Sequence, residues 1–148
     1  MRHSEAGMAQ RDEKNQQEHD TLLEMISRRI KIPTWTLVTN PGAQQNAGVP
    51  YPTEAGQALA YPDIVIHEKF TRKLAAVGEV ETADSVTAAE AEAEWALYTS
   101  LAPRFFLYVP AELEPEARDL LRRRRIRPEG LFLYRFTERN QFVVARAR

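Results

Sequence analysis

The chain has 148 residues, of which 20 are Lys or Arg and 21 are Asp or Glu, for a formal net charge of −1, and it contains no cysteine. That length predicts one domain, and the missing cysteines exclude disulfides, thiolate metal sites and a cysteine nucleophile; with only 3 histidines, any metal would be held mainly by oxygen, as hard ions such as magnesium are. No apolar run has the length of a membrane span and residues 1–7 lack the apolar core of a secretion signal, so the cytoplasm is the expected compartment and no membrane partner is expected.

Residues 1–17 read as a polar N-terminal extension or a frayed helix start, and residues 18–148 as one α/β domain. Thr21-Leu22-Leu23-Glu24 has capping-box spacing, and Leu22, Leu23, Met25, Ile26 and Ile30 share one side of a helix that Pro33 stops near Lys31. Residues 34–39 are rich in β-branched and aromatic side chains and predict a strand, ended by Asn40-Pro41-Gly42. Residues 40–60, with 3 prolines and 3 glycines, predict a long loop of the kind that contacts substrate or acts as a lid. Residues 61–67 and 74–82 have the length and apolarity of strands, and the short polar segment between them predicts a hairpin.

Thr87-Ala88-Ala89-Glu90 opens a helix running to about Leu101, and residues 104–109 form a buried strand ended by Pro110. Pro115 sits in the first turn of a helix to about Arg125, after which residues 131–136 and 141–145 close the chain as strands. The order is helix, three strands, helix, strand, helix and two strands, which predicts a central mixed β-sheet flanked by helices.

Three acids stand where a domain of this kind normally places apolar residues. Asp63 lies in one apolar strand, and Glu79 and Glu81 lie in the next, beside Val77 and Val80. Because side chains alternate along a strand, Glu79 and Glu81 face the same way, with Val77 and Ala75 expected on that face too. The hairpin brings Asp63 toward them, and three like charges at one site are costly unless a divalent cation joins them.

Pro62-Asp63 followed by Glu79-Val80-Glu81 resembles the motif of the PD-(D/E)XK nuclease superfamily, and the element order around it is similar to that superfamily's core over residues 18–136. Glu81 stands where the family usually has lysine, a substitution that some of its restriction endonucleases share. The resemblance implies a restriction-endonuclease-like fold and Mg²⁺- or Mn²⁺-dependent hydrolysis of DNA or, second, RNA. Asp63, Glu79 and the Val80 carbonyl would hold the metal, and Glu81 would orient or deprotonate the attacking water. Members of the superfamily often add an acid from the first helix, for which Glu18 is the better placed candidate and Glu24 points away. Many cut as symmetric dimers, which makes a homodimer an expectation. The alternative is a domain of the same fold that has lost catalysis and serves nucleic-acid binding or protein assembly.

Other residues carry weaker signals. His67 shares the strand face of Asp63 but lies roughly 13 Å along the strand, so it belongs to the edge of the site and not to the metal. Lys69 and Lys73 flank the hairpin and could bring in the missing positive charge. Glu90, Glu92 and Glu94 follow one another at about 200° around a helix, which predicts a solvated face and no common site. Trp95 and Tyr98 are expected to pack on the sheet. Arg122, Arg123 and Arg127, within an arginine run at a helix C-terminus, are the expected contacts to a nucleic-acid backbone.

Overall fold

The computed structural model describes residues 13–42 and 44–148. Helix α1 (Glu13–Ser27) leads into β1 (Trp35–Thr39), a hairpin of β2 (Val49–Thr53) and β3 (Gly56–Ala60), and then β4 (Ile64–Glu68) and β5 (Leu74–Val80). Helix α2 follows as three consecutive pieces, Ala88–Glu90, a π-helical turn Ala91–Trp95 and Ala96–Leu101. Strand β6 (Phe105–Pro110), a 3₁₀ turn (Ala111–Leu113), helix α3 (Glu114–Arg124), β7 (Gly130–Phe136) and β8 (Phe142–Arg146) complete the chain.

The main sheet has six strands in the order β1-β4-β5-β6-β7-β8. The β1–β4, β4–β5 and β7–β8 pairs are antiparallel, whereas β5–β6 and β6–β7 are parallel. The parallel pairs follow from the intervening helices, since only a crossover returns the chain to run in the same direction. The protein is therefore an α/β fold with a mixed sheet covered by helices.

Alternation along the strands divides the core in two. Ile64, Ile66, Val80, Tyr108 and Tyr134 face α1 and meet Leu22, Leu23 and Ile26. Val65, Val77, Leu107 and Val109 face the other way, against Ala91, Trp95 and Tyr98 of α2 and Ala117 and Leu121 of α3. Trp95 and Tyr98 pack there as their spacing predicted, both essentially without exposure.

Several local expectations change. Thr21 is no N-cap: α1 already runs from Glu13, and the Thr21 hydroxyl donates to the Gln17 carbonyl at 2.9 Å. Residues 13–17 are thus helical, while residues 1–12 of the expected extension lie outside the described residues. The helix also ends at Ser27, with Arg29 and Ile30 continuing it only as turns to Ile26 and Ser27.

The loop expected over residues 40–60 contains the β2–β3 ribbon. Pro50 and Pro52 obscured it, because proline cannot donate to a ladder and is tolerated only where the N–H faces outward. Ala75 does not share the face of Val77: the register of β4 and β5 shifts between Ile66 and His67, which turns Ala75 together with Ala76 toward α1. The Thr87 cap holds as read, its hydroxyl accepting from the Glu90 N–H at 3.2 Å.

Candidate metal centre

The start of β4 lies beside the end of β5, so the hairpin brings Asp63 and Glu79 together. The Asp63 N–H donates to Glu79 Oε1 at 2.9 Å, and the Val80 N–H donates to Asp63 Oδ2 at 2.8 Å. The same Asp63 oxygen lies 3.0 Å from His19 Nε2. Val80 thus meets Asp63 through its amide, while its side chain packs toward α1.

His19 is the residue of α1 that reaches the site, and its ring is buried at 1% exposure. Its other nitrogen, Nδ1, is 3.0 Å from Asp20 Oδ1, and that oxygen also accepts the Gly42 N–H at 3.0 Å. Burial pushes the Asp20 carboxyl up, but hydrogen bonds from His19 and Gln16 outweigh it, and the net shift is downward. Gly42 takes a left-handed φ of 56°, which a residue without Cβ adopts at little cost. Asn40 completes the frame: its backbone N–H donates to the Asp63 carbonyl at 3.0 Å and its side chain to the Pro62 carbonyl at 2.6 Å. The first helix and the loop after β1 therefore meet at Pro62-Asp63.

Glu81 is fully buried, and both its oxygens accept protein donors. Ser85 Oγ donates to Oε1 at 2.6 Å and Trp95 Nε1 to Oε2 at 2.7 Å, while the Glu81 carbonyl accepts from the Tyr134 hydroxyl at 2.6 Å. Burial, with the charge of Glu90, pushes its pKa up to about 7 against the pull of those two donors. Glu81 ties the end of β5 to α2 and to β7.

The carboxylates that do converge with Glu79 come from α2. One oxygen each of Glu79, Glu90 and Glu94 lie within 4.8 Å of one another. Glu79 and Glu94 are buried, and Glu90 is half-buried. Burial first, and then the neighbouring acids, push the Glu79 and Glu94 carboxyls well above the usual range. This overturns the expectation of a solvated acidic face. Only Glu92 keeps an exposed place, 3.5 Å from Arg124, whereas Glu90 and Glu94 are four apart and share the inward side of the π turn with Ala91 and Trp95. The i,i+4 spacing of two acids beside a buried tryptophan was the signal available in the sequence. His19 gave no comparable signal.

The remaining candidates lie elsewhere. Glu18 is exposed on α1 and lines a cleft beside Tyr134, one residue from His19 but not on Asp63. His67 pairs with Leu74 and Thr36 at the far end of β4, and Lys69 lies in the turn beyond, with Nζ 5.9 Å from the Phe70 ring centroid. An extended strand of that length separates them from Asp63 by more than 10 Å. Arg122 and Arg123 both hold Asp119, at 2.9 and 3.1 Å, and Arg127 is exposed beyond the end of α3.

The donor set fits a hard divalent cation. Oxygens each about 2.1–2.5 Å from one ion are separated by no more than about 4–5 Å, which the three glutamates satisfy, and Asp63 stands beside Glu79 with Oδ1 outside the bonds that hold Oδ2. No family model, curated protein or solved structure matches the chain. No helix of the described residues is long and apolar enough to cross a membrane.

Proposed function

We propose that the protein is a divalent-metal-dependent hydrolase of phosphodiester bonds, acting on DNA in the first place and RNA in the second, on a restriction-endonuclease-like fold. The observation that carries this reading is the convergence of Glu79, Glu90 and Glu94 beside Asp63, where the end of β5 meets the start of β4. Buried like charges are costly, and they must take up protons or a cation. The order of α1, β1, β4, β5, α2 and β6, with the β2–β3 ribbon as an insertion, supports the fold.

Glu79 and Glu94, with Glu90 and Asp63, would hold Mg²⁺ or Mn²⁺. A bound ion of this kind polarises a phosphate oxygen and lowers the pKa of its water. His19 orients Asp63 from α1, and the Val80 amide fixes the same carboxylate from β5. Glu81, in the lysine position of the motif, positions α2 through Trp95 and thereby sets where Glu90 and Glu94 stand.

The charge balance favours a second reading, a metal-binding domain of the same fold without catalysis, because the charged groups that act most strongly on Glu79, Glu81 and Glu94 are other acids. Labelled DNA and RNA oligonucleotides incubated with Mg²⁺ or Mn²⁺ separate the two. Cleavage that chelator, Glu79→Ala and Asp63→Ala each abolish is the expected result; calorimetric metal binding lost in Glu79→Ala, without cleavage by the wild type, selects the second reading.

A further inference from the structure

We propose that the cleft of about 480 Å³ between the N-terminal half of α1 and the carboxyl ends of β5, β6 and β7 takes one nucleotide unit of a single polynucleotide strand, its phosphate on Lys14 and Arg135 and its base against Phe136. The proposal rests on the phosphodiester reading and names where the substrate strand lies beyond the acid cluster. The carboxyl ends of parallel strands are where α/β sheets leave room for ligands.

The cleft lies on the α1 side of the sheet, beside elements that carry Asp63 and Glu81 and across the sheet from the helix of Glu90 and Glu94. Glu18 on one wall is the chain neighbour of His19, which holds Asp63, and Tyr134 on the other donates to the Glu81 carbonyl.

The cations of this cleft are free to act on a ligand. Lys14 and Arg135 form no ion pair with a described residue, whereas Arg122 and Arg123 both hold Asp119. Phe136 is 49% exposed, and its ring is tilted against Phe142 at a centroid distance of 5.2 Å and 52° between planes. An exposed aromatic ring held by a neighbour is a stacking platform for a base. Glu18 and Glu112 lie on the same walls. They balance the two cations, which suits one phosphate and not a row of them, and they offer acceptors to the N–H and O–H groups of a base or sugar. The volume lies in the range of small-ligand sites, which a nucleotide fits and a duplex does not.

The test is fluorescence anisotropy of a labelled single-stranded oligodeoxythymidylate in EDTA, where no cleavage competes. Lys14→Ala with Arg135→Ala should weaken binding at least about tenfold and reduce the salt slope by about 0.7, the contribution of one phosphate contact on a single strand. Phe136→Ala should cost about tenfold through lost stacking, and Arg122→Ala with Arg123→Ala should change nothing. All these side chains are at the surface, so the variants keep the fold. Wild-type affinity in the Lys14/Arg135 variant, no binding of the oligomer, or tighter binding of duplex overturns the proposal. Thymidine monophosphate competing as strongly as the oligomer moves the cleft to a free nucleotide and overturns the strand. Binding lost in the cleft variants, with no cleavage under Mg²⁺ or Mn²⁺, sustains the cleft and removes the catalytic reading; cleavage with unchanged binding in those variants removes the cleft alone.

Discussion

Glu81 is an acid whose folded pKa, about 7, lies above its ordinary value of 4.5, chiefly because it is buried. The folded state keeps a proton that the unfolded state sheds, so this contribution to stability is fully present below about pH 4.5 and is lost as pH rises through about 7. Glu79 and Glu94 shift in the same direction. The metal-free protein should therefore melt at a lower temperature at pH 8 than at pH 5, and Glu81→Gln should flatten that dependence by on the order of 3 kcal/mol. Parallel melting curves for the two proteins would show that Glu81 is not the group responsible. Trp95→Phe keeps an aromatic ring but removes the donor to Glu81 Oε2, and it should cost about 1–3 kcal/mol in urea denaturation. Glu81 was legible as an acid out of place in an apolar strand; that Trp95 is its partner was not, because Trp95 approaches only as α2 packs, whereas Ser85 reaches it through the local turn after β5.

At the scale of the element, α1 combines anchoring with site building. Leu22, Leu23 and Ile26 bury its apolar face, and that docking carries His19 onto Asp63. Ile26→Ala should destabilise the fold by about 2–5 kcal/mol, read from chemical denaturation. Helix α3 ends on Arg125 in the left-handed conformation, φ 57° and ψ 42°, its N–H bonded to the Arg122 carbonyl at 3.2 Å. Glycine adopts that geometry at no steric cost, so Arg125→Gly should stabilise the protein by roughly 0.5–1 kcal/mol in the same assay. The apolar face of α1 was readable from its 3.6-residue periodicity, and α3 from Pro115 in its first turn. The start of α1 was not, since residues 13–17 are polar and gain order from the rest of the helix; nor was the π turn of α2, which brings Glu94 inward beside Trp95.

For the whole molecule, the acid cluster couples metal to stability. If Glu79, Glu90 and Glu94 hold one ion, saturating Mg²⁺ or Mn²⁺ should raise the melting temperature, by the equivalent of about 2.7 kcal/mol at 100 times the dissociation constant. The gain should be larger at pH 8 than at pH 6, because bound carboxylates must be ionised and burial holds them protonated in the free protein. Glu79→Gln should remove the gain, and a melting temperature indifferent to either ion would leave the cluster without a metal.

Local chemistry determined most of the elements: apolar, β-branched and aromatic runs made strands β1, β4, β5, β6, β7 and β8, proline and glycine ended β1 and β6, and Asp63, Glu79 and Glu81 stood out against apolar surroundings. The hairpin even placed Asp63 on Glu79, because a short turn leaves two neighbouring strands no other way to pair. Which other groups reach that point was decided by tertiary structure. His19 arrives from 44 residues away and Glu94 from a helix packed on the opposite face of the sheet, and such partners are chosen by how amphipathic faces dock and not by any spacing along the chain.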